Sequence, residues 1–403
     1  DTYWAFDVKP PSRQLSPEFK WYFSDDDLGL TYSLPVVGRF KSTTGSSPES
    51  QWLVFFGSGY AKHSAAQMNK KGYFYSLNMF CDPSAADKIN QCGLDGGSWD
   101  SGKQKILIGN STVAGVAMDF TNNTLSDPIV ADRVDADGNP TADGFEDTVY
   151  VGDMVGHLLR FTDNLAVSGL SLTGAVLFNT YKSTEDAGIL DTYKYYVENP
   201  RLSSFGADTQ KYYFYKMPRP ITTRPQVWRE PGQDYIMVFF GTGKYDSFYD
   251  SFDEFKRVLE NGTTVKENQD AYGIIDEGSY VTWSEILHHT VESAGAGGKL
   301  RTLVEDSSIP SPKGWRIEFN GTDYDRGERV ITDMQVMQQE DRVNNRKDWI
   351  LFFTTFTPNM LATCDLRDIT GAGAGYLMTV RAKNGKNPDF AIQDIDGDSL
   401  LNS

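Results

Sequence analysis

Three cysteines and four histidines serve a chain of 403 residues. The histidines (His63, His157, His288 and His289) fall in no zinc-like spacing with cysteines or carboxylates, and are expected at surface or loop positions. Cys81 and Cys92 bracket the polar stretch CDPSAADKINQC. A disulfide there would contribute ~2–3 kcal/mol by constraining the unfolded chain, and would imply an oxidising compartment. Two free thiols are the other reading, and Cys364 is left over, either buried or paired outside this chain. No run of about 18 or more apolar residues occurs, so no helix is expected to span a membrane. The opening DTYWAFDV reads as a strand and not as an export signal, so either the mature chain begins there or the sequence is a fragment. Basic residues are outnumbered, 38 Lys and Arg against 55 Asp and Glu, for a net charge of -17. Such a surface repels nucleic-acid phosphates and anionic headgroups, suits cations and favours solubility. GxSxG elbows, phosphate loops and GxGxxG turns are absent. FGTGK at 240–244 lacks a phosphate loop's spacing and reads as a strand-end turn. Helix signals are also scarce: only 250–260 (DSFDEFKRVLE) and 281–291 (VTWSEILHHTV) carry helical spacing, as decorations on loops.

What is abundant is strand. Aromatics make up 13% of the chain, enough for a substantial core, so disorder is excluded. Short runs rich in Val, Ile, Phe and Tyr recur between Gly, Asp, Asn and Pro clusters. Three apolar strands end in related turns, FFGSGY at Gly57, YVGDMVG at Gly152 and FFGTGKY at Gly241; a fourth, FFTTFTP, has Thr354 where the glycine should be. Before each lies a strand of shared look (YSLPVVGRF, LSDPIVADR, ITTRPQVWR, VITDMQVMQ), and after each a third (KGYFYSLNM, GHLLRFTD, DAYGIIDEG, AGYLMTVRA). A repeat of strand A, strand B ending in glycine, strand C and usually an edge strand is the blade logic of a β-propeller. The glycines suit positive φ or close approach to a neighbouring blade. YWAFDV and FKWYF read as the outer pair of a further, incomplete blade. The expected fold is therefore all-β: a modified β-propeller with long loop insertions, one domain over 1–403. It is expected to be partial, and a loop-rich insertion spans about 244–330.

Between the second repeat's strands A and B runs DADGNPTADGFED. Asp135, Asp137, Asn139, Thr141 and Asp143 fall at positions 1, 3, 5, 7 and 9 of a loop whose alternate oxygens can face one ion. Ca²⁺ takes about six to eight oxygen ligands, and position 7 contributes its carbonyl. In a second register, NPTA is an insertion and Asp143 and Asp147 occupy positions 5 and 9; Glu146 would be a twelfth-position ligand in an EF-hand. Pro140 at position 6 and flanking strands argue against an EF-hand. The other reading is a solvated acidic turn. A second candidate, DIDGDSLLN, offers Asp394, Asp396, Asp398 and Asn402 at positions 1, 3, 5 and 9, close to a chain terminus where mobility is common.

The stretches FKWYFSDDDLGLTYSLPVVGRF, WLVFFGSGY, DADGNPTADGFEDTVYVGDMVGHLLRF, IMVFFGTGKY, AYGIID and LFFTTFTP resemble, in order, the C-terminal domain of the PilY/PilC family of type IV pilus tip-associated adhesins and biogenesis factors. The resemblance implies a modified propeller, here without the family's N-terminal adhesive region, exported by a Gram-negative bacterium to the cell surface, at the pilus tip or outer membrane. It implies minor pilins and a host or abiotic surface as partners. It also implies a Ca²⁺ loop that tunes pilus extension against retraction, its ligands falling on Asp135, Asp137, Asn139, Thr141 and Asp143. No catalytic residue is implied. Two rivals remain. One is a quinone-dependent (PQQ-type) propeller dehydrogenase, which would need tryptophan docking repeats and an acid–base pair not seen here. The other is a surface propeller of another secreted system.

Overall fold

The computed structural model describes residues 2–7, 18–25, 27–30, 32–42, 49–59, 72–79, 94–95, 98–99, 104–107, 112–113, 116–117, 124–133, 142–154, 156–163, 172–180, 194–197, 212–215, 219–245, 256–258, 264–266, 268–294, 300–319, 327–341, 345–357 and 375–390. Among these there is no α-helix; nearly all regular structure is strand. Strands A, B and C fall where the repeat predicts them, four times over. The first sheet runs Val36–Ser42, Glu49–Gly57, Tyr73–Asn78, Gln104–Leu107. The second runs Ile129–Ala131, Thr148–Gly152, His157–Asp163, Leu172–Asn179. The third opens with Gln226–Arg229, Ile236–Gly241 and Asp270–Asp276, and the fourth consists of Gln335–Asp341, Arg346–Thr354 and Leu377–Arg381. Tyr3–Asp7 and Glu18–Phe23 pair antiparallel as the separate two-stranded sheet expected of them.

The third sheet departs from the plain repeat. The segment 244–330, expected as a loop-rich insertion, supplies its third to sixth strands in spatial order: Asp270–Asp276, Gly314–Glu318, Leu287–Ala294 and Leu300–Val304. Leu287–Ala294 runs parallel to Gly314–Glu318, so a hairpin is added beyond the usual edge strand. Here the helical expectation for 281–291 fails. Only Trp283–Glu285 forms a single 3₁₀ turn, held by reciprocal capping between Thr282 and Glu285. Leu287 and Val291 are four residues apart, a spacing shared by helix and strand; His289 between them is also buried and His288 is exposed, which is the strand period of two. In the other expected helix, Lys256–Val258 is a strand.

The chain divides into two compact units, Asp1–Asp153 with Leu159–Val176, and Met154–Leu158 with Leu177–Ser403. In the first, the adjacent residues of strand B face opposite ways. Phe56 packs with Phe23 and Tyr75 towards the two-stranded sheet, while Phe55 continues a ring series through Phe74 to Phe161, the last two stacked at 4.1 Å. In the second, Phe239 faces Trp228 and Trp315, and Phe240 faces Tyr272. Strands buried on both faces read as continuous apolar runs, which is why these strands were conspicuous. Each such ring contributes about 1.5–3 kcal/mol by leaving water. Trp315, fully buried, joins the third and fourth sheets: it sits in one core cluster with Leu351 and Val380, and its indole N–H donates to the Ala382 carbonyl at 2.9 Å.

Strand-B glycines make close approaches. A Cβ on Gly57 would lie 2.5 Å from Leu125 Cβ, and one on Gly241 would lie 2.2 Å from Val330 Cβ; each neighbour belongs to the segment leading into the next repeat. Thr354, standing where the fourth repeat should have glycine, is exposed, its hydroxyl 2.6 Å from that of Thr332. Val330 is β-branched and fully buried, with little freedom to yield. Gly241→Ala is therefore expected to cost about 1–3 kcal/mol, the usual penalty of overpacking, whereas Thr354→Ala stays within about 0.5 kcal/mol. Urea denaturation of both variants checks this.

Candidate functional site

The loop between strands A and B of the second sheet is closed at its neck by its own side chains. Asp132 accepts the backbone N–H groups of Asp143 at 3.2 Å and Gly144 at 2.7 Å, one on each carboxylate oxygen. Asp147, buried at 4% exposure, accepts the Arg133 N–H at 2.8 Å on Oδ2 and the Thr148 hydroxyl on Oδ1. The Asp147 N–H donates to the Ala131 carbonyl at 3.0 Å. The ends of the loop are thus fixed where it leaves and re-enters the sheet.

The loop also docks on the first sheet. Arg39 and Glu146 exchange bonds, the Arg39 N–H donating to Glu146 Oε2 at 2.6 Å and the Glu146 N–H donating to the Arg39 carbonyl at 3.0 Å. The Arg39 guanidinium lies 4.3 Å from the centre of the Phe145 ring and the Lys41 ammonium 5.1 Å. Lys41 forms an ion pair with Asp143 Oδ2, while Asp143 Oδ1 accepts the Phe145 N–H at 3.0 Å. Two of the sequence-predicted ligands, Asp143 and Asp147, are therefore placed, and they differ: Asp147 is buried in the neck, Asp143 part-exposed beneath a lysine. Asp135, Asp137, Asn139 and Thr141 lie outside the described residues, as do Asp394, Asp396, Asp398 and Asn402, and also Cys81, Cys92, Cys364 and His63. Among the described residues no group of three or more His, Cys, Asp or Glu is arranged to hold a metal.

Sequence reading missed a polar cluster on the third sheet. Asp270 is fully buried and pairs with Arg219 Nε at 3.1 Å and Arg316 Nη1 at 3.6 Å, and it accepts the Tyr272 hydroxyl at 3.0 Å. Burial, together with the Asp270 charge, drives the Tyr272 phenol far above its ordinary range. Arg316 lies 4.5 Å over the Trp283 ring and reaches Glu318 Oε2 at 2.6 Å; His288 Nε2 is 2.7 Å from the same oxygen. The hydrogen bond from His288 leads the causes that lower Glu318 to about 2. The histidines also depart from the sequence reading: His157 and His289 are buried within strands. His289 Nδ1 accepts the Asp306 N–H at 2.9 Å and its Nε2–H faces the Asn384 carbonyl at 2.8 Å, which fixes a neutral ring. Burial lowers its pKa, against the opposing pull of Glu305 and Asp306 and alongside the repulsion of Lys386.

No family model matches the chain. It is 23% identical over 377 residues to the type IV pilus biogenesis factor PilY1 of Pseudomonas aeruginosa (strain UCBPP-PA14), an alignment covering 88% of this chain. The chain spans about a quarter, 27%, of that relative's length. The crystal structure of the Pseudomonas aeruginosa PilY1 C-terminal domain superposes with a TM-score of 0.59 at 20% identity, covering 100% of this chain and 68% of that one. The resemblance read from the sequence is borne out by both, and the fold is all-β and propeller-like.

His289 generates a pH prediction. The unfolded chain takes up a proton on this ring near 6.5, and the folded chain only at lower pH. Its contribution is thus complete above 6.5 and declines as pH falls towards the lowered folded value. His289→Ala strands the Asp306 N–H and the Asn384 carbonyl, and is expected to cost about 1–3 kcal/mol at neutral pH. The gap to the parent chain should narrow as pH falls below 6.5 towards the lowered folded value. Urea titrations across that range measure it.

Proposed function

We propose that this chain works in type IV pilus biogenesis, exported to the cell surface and carried at the pilus tip or outer membrane. There it meets minor pilins and host or abiotic surfaces, and catalyses nothing. The similarity to PilY1 over 88% of the chain, in sequence and in fold, supports this reading. Within it, the 132–148 loop binds Ca²⁺ and so influences pilus extension, retraction and adhesion. The observation that carries the calcium reading is the closed neck. It leaves Asp143 as a part-exposed carboxylate that already faces a cation, the Lys41 ammonium. A hard cation suits such an oxygen. Asp147 fits less well, because each of its oxygens already serves the neck. We therefore assign Asp143, with Asp135, Asp137, Asn139 and Thr141, as the ligands, and Asp147 as the clasp beneath them. Asp394, Asp396, Asp398 and Asn402 are a second candidate set. Calcium bound here would tie the far part of the loop to its neck and thereby brace the blade.

Two measurements test this. Asp143→Ala should weaken Ca²⁺ binding by at least the roughly 10–100-fold that loss of a metal's outer-shell partner costs, with the fold intact by circular dichroism. Unchanged affinity by calorimetry refutes the ligand assignment. Deletion of the gene in its own host should sharply reduce surface pili counted by electron microscopy, with recovery on complementation; undiminished piliation refutes the pilus role.

A further inference from the structure

We infer that Lys41 is a tethered competitor of calcium: its ammonium pairs with Asp143 and must leave before the ion can bind there. This rests on the calcium reading of the loop and adds to it a built-in threshold. Lys41 lies on the first sheet, 102 residues from Asp143, so the pair is made by the docking of the loop and not by local sequence. Both side chains are largely covered, at 20% and 21% exposure, so water screens their attraction less than it would at an open surface. Asp143 divides its oxygens between the Lys41 ammonium and the Phe145 N–H. Calcium drawing on this carboxylate would meet a positive charge already seated on it.

The surroundings supply an exit for the lysine. The Phe145 ring lies 5.1 Å from the ammonium, and its electron-rich face can hold a cation released from the carboxylate. The docking itself does not need Lys41. The two bonds of the Arg39 backbone, one to the Glu146 carboxylate and one from the Glu146 N–H, and the Arg39 guanidinium 4.3 Å from the same ring, hold the loop to the first sheet independently. Exchange of lysine for calcium therefore changes the charge at Asp143 and leaves the loop docked. Its consequence is a site tuned to higher calcium concentrations than its carboxylates alone would set.

Calorimetric titration of CaCl₂ into the full chain, at fixed ionic strength, tests the inference with Lys41→Met, Lys41→Gln and Lys41→Arg. Removing the charge should tighten binding roughly tenfold, the factor that corresponds to losing one close, part-screened charge contact, while Lys41→Arg stays near the parent. Circular dichroism confirms folding, and Lys41→Gln serves if Lys41→Met does not fold. Unchanged or weaker binding in the neutral variants overturns the inference, since Lys41 and calcium would then share Asp143. If the parent and every variant take up no calcium, the calcium reading itself falls and this inference with it.

Discussion

Where strand B ends in Gly57 and Gly241 there is no room for a side chain. The segment entering the next repeat crosses there, Leu125 against Gly57 and Val330 against Gly241, at distances that even a single methyl group would violate. Everything around the crossing is arranged to hold it. Ser33 accepts the Gly57 N–H and Ser126 accepts the Gly152 N–H, so a hydroxyl from strand A's approach caps strand B's last amide. The aspartate beside the next such hydroxyl reaches back, Asp127 to the Leu34 N–H at 2.7 Å and Asp333 to the Arg224 N–H at 3.0 Å. In the first unit hydroxyl and aspartate together thus stitch strand to strand and repeat to repeat, and in the second the aspartate contact recurs at Asp333. Buried amides left unpaired would cost about 1–3 kcal/mol each, so the crossing is a polar constraint as much as a steric one.

This stitching lies at the ends of the strands, which leaves the connections free to grow. A long loop costs little once its ends are fixed, because closure entropy rises only slowly with length. The 132–148 loop shows how the ends are fixed: Asp132 and Asp147 satisfy amides across the neck, and the Arg39–Glu146 exchange anchors the neck to the neighbouring sheet. Function carried on such a loop is mechanically separate from the sheets that position it. The paired strands Leu287–Ala294 and Leu300–Val304 illustrate the same freedom, since they extend the third sheet without altering strands A to C.

Strand B was legible because it is sandwiched: Thr148–Gly152 and Ile236–Gly241 are buried throughout, so the apolar run is uninterrupted and its terminal glycine stands out, while strands A and C were legible by their places before and after it. The hairpin at Leu287–Ala294 was not, because a four-residue spacing of apolar side chains satisfies both helix and strand, and only the burial of His289 separates them. The cluster around Asp270 had no signature at all. Arg219, Asn268, Asp270, Trp283, Arg316 and Glu318 are scattered over about a hundred residues, and only sheet pairing brings them together. Charged residues in strands read as solvated edges. Here Arg316 and Asp270 are instead buried against each other, where a pair retains its worth only while both members remain.

The candidate ion loop was legible as a pattern and ambiguous in register, for a physical reason. Alternate aspartates announce that oxygens face inward, but a carboxylate that binds an ion and one that binds backbone amides look alike in sequence. The hydrogen bonds separate them. Asp132 and Asp147 each spend both oxygens on donors of the neck or the strand beside it, a role that needs negative charge but no metal. Asp143 spends one oxygen on a side-chain cation from another sheet. A carboxylate bound to amides is committed by the fold; one bound to a lysine is held by a partner that has somewhere else to go. That difference, and not the spacing of acidic residues, is why we propose Asp143 as the position at which a free cation competes.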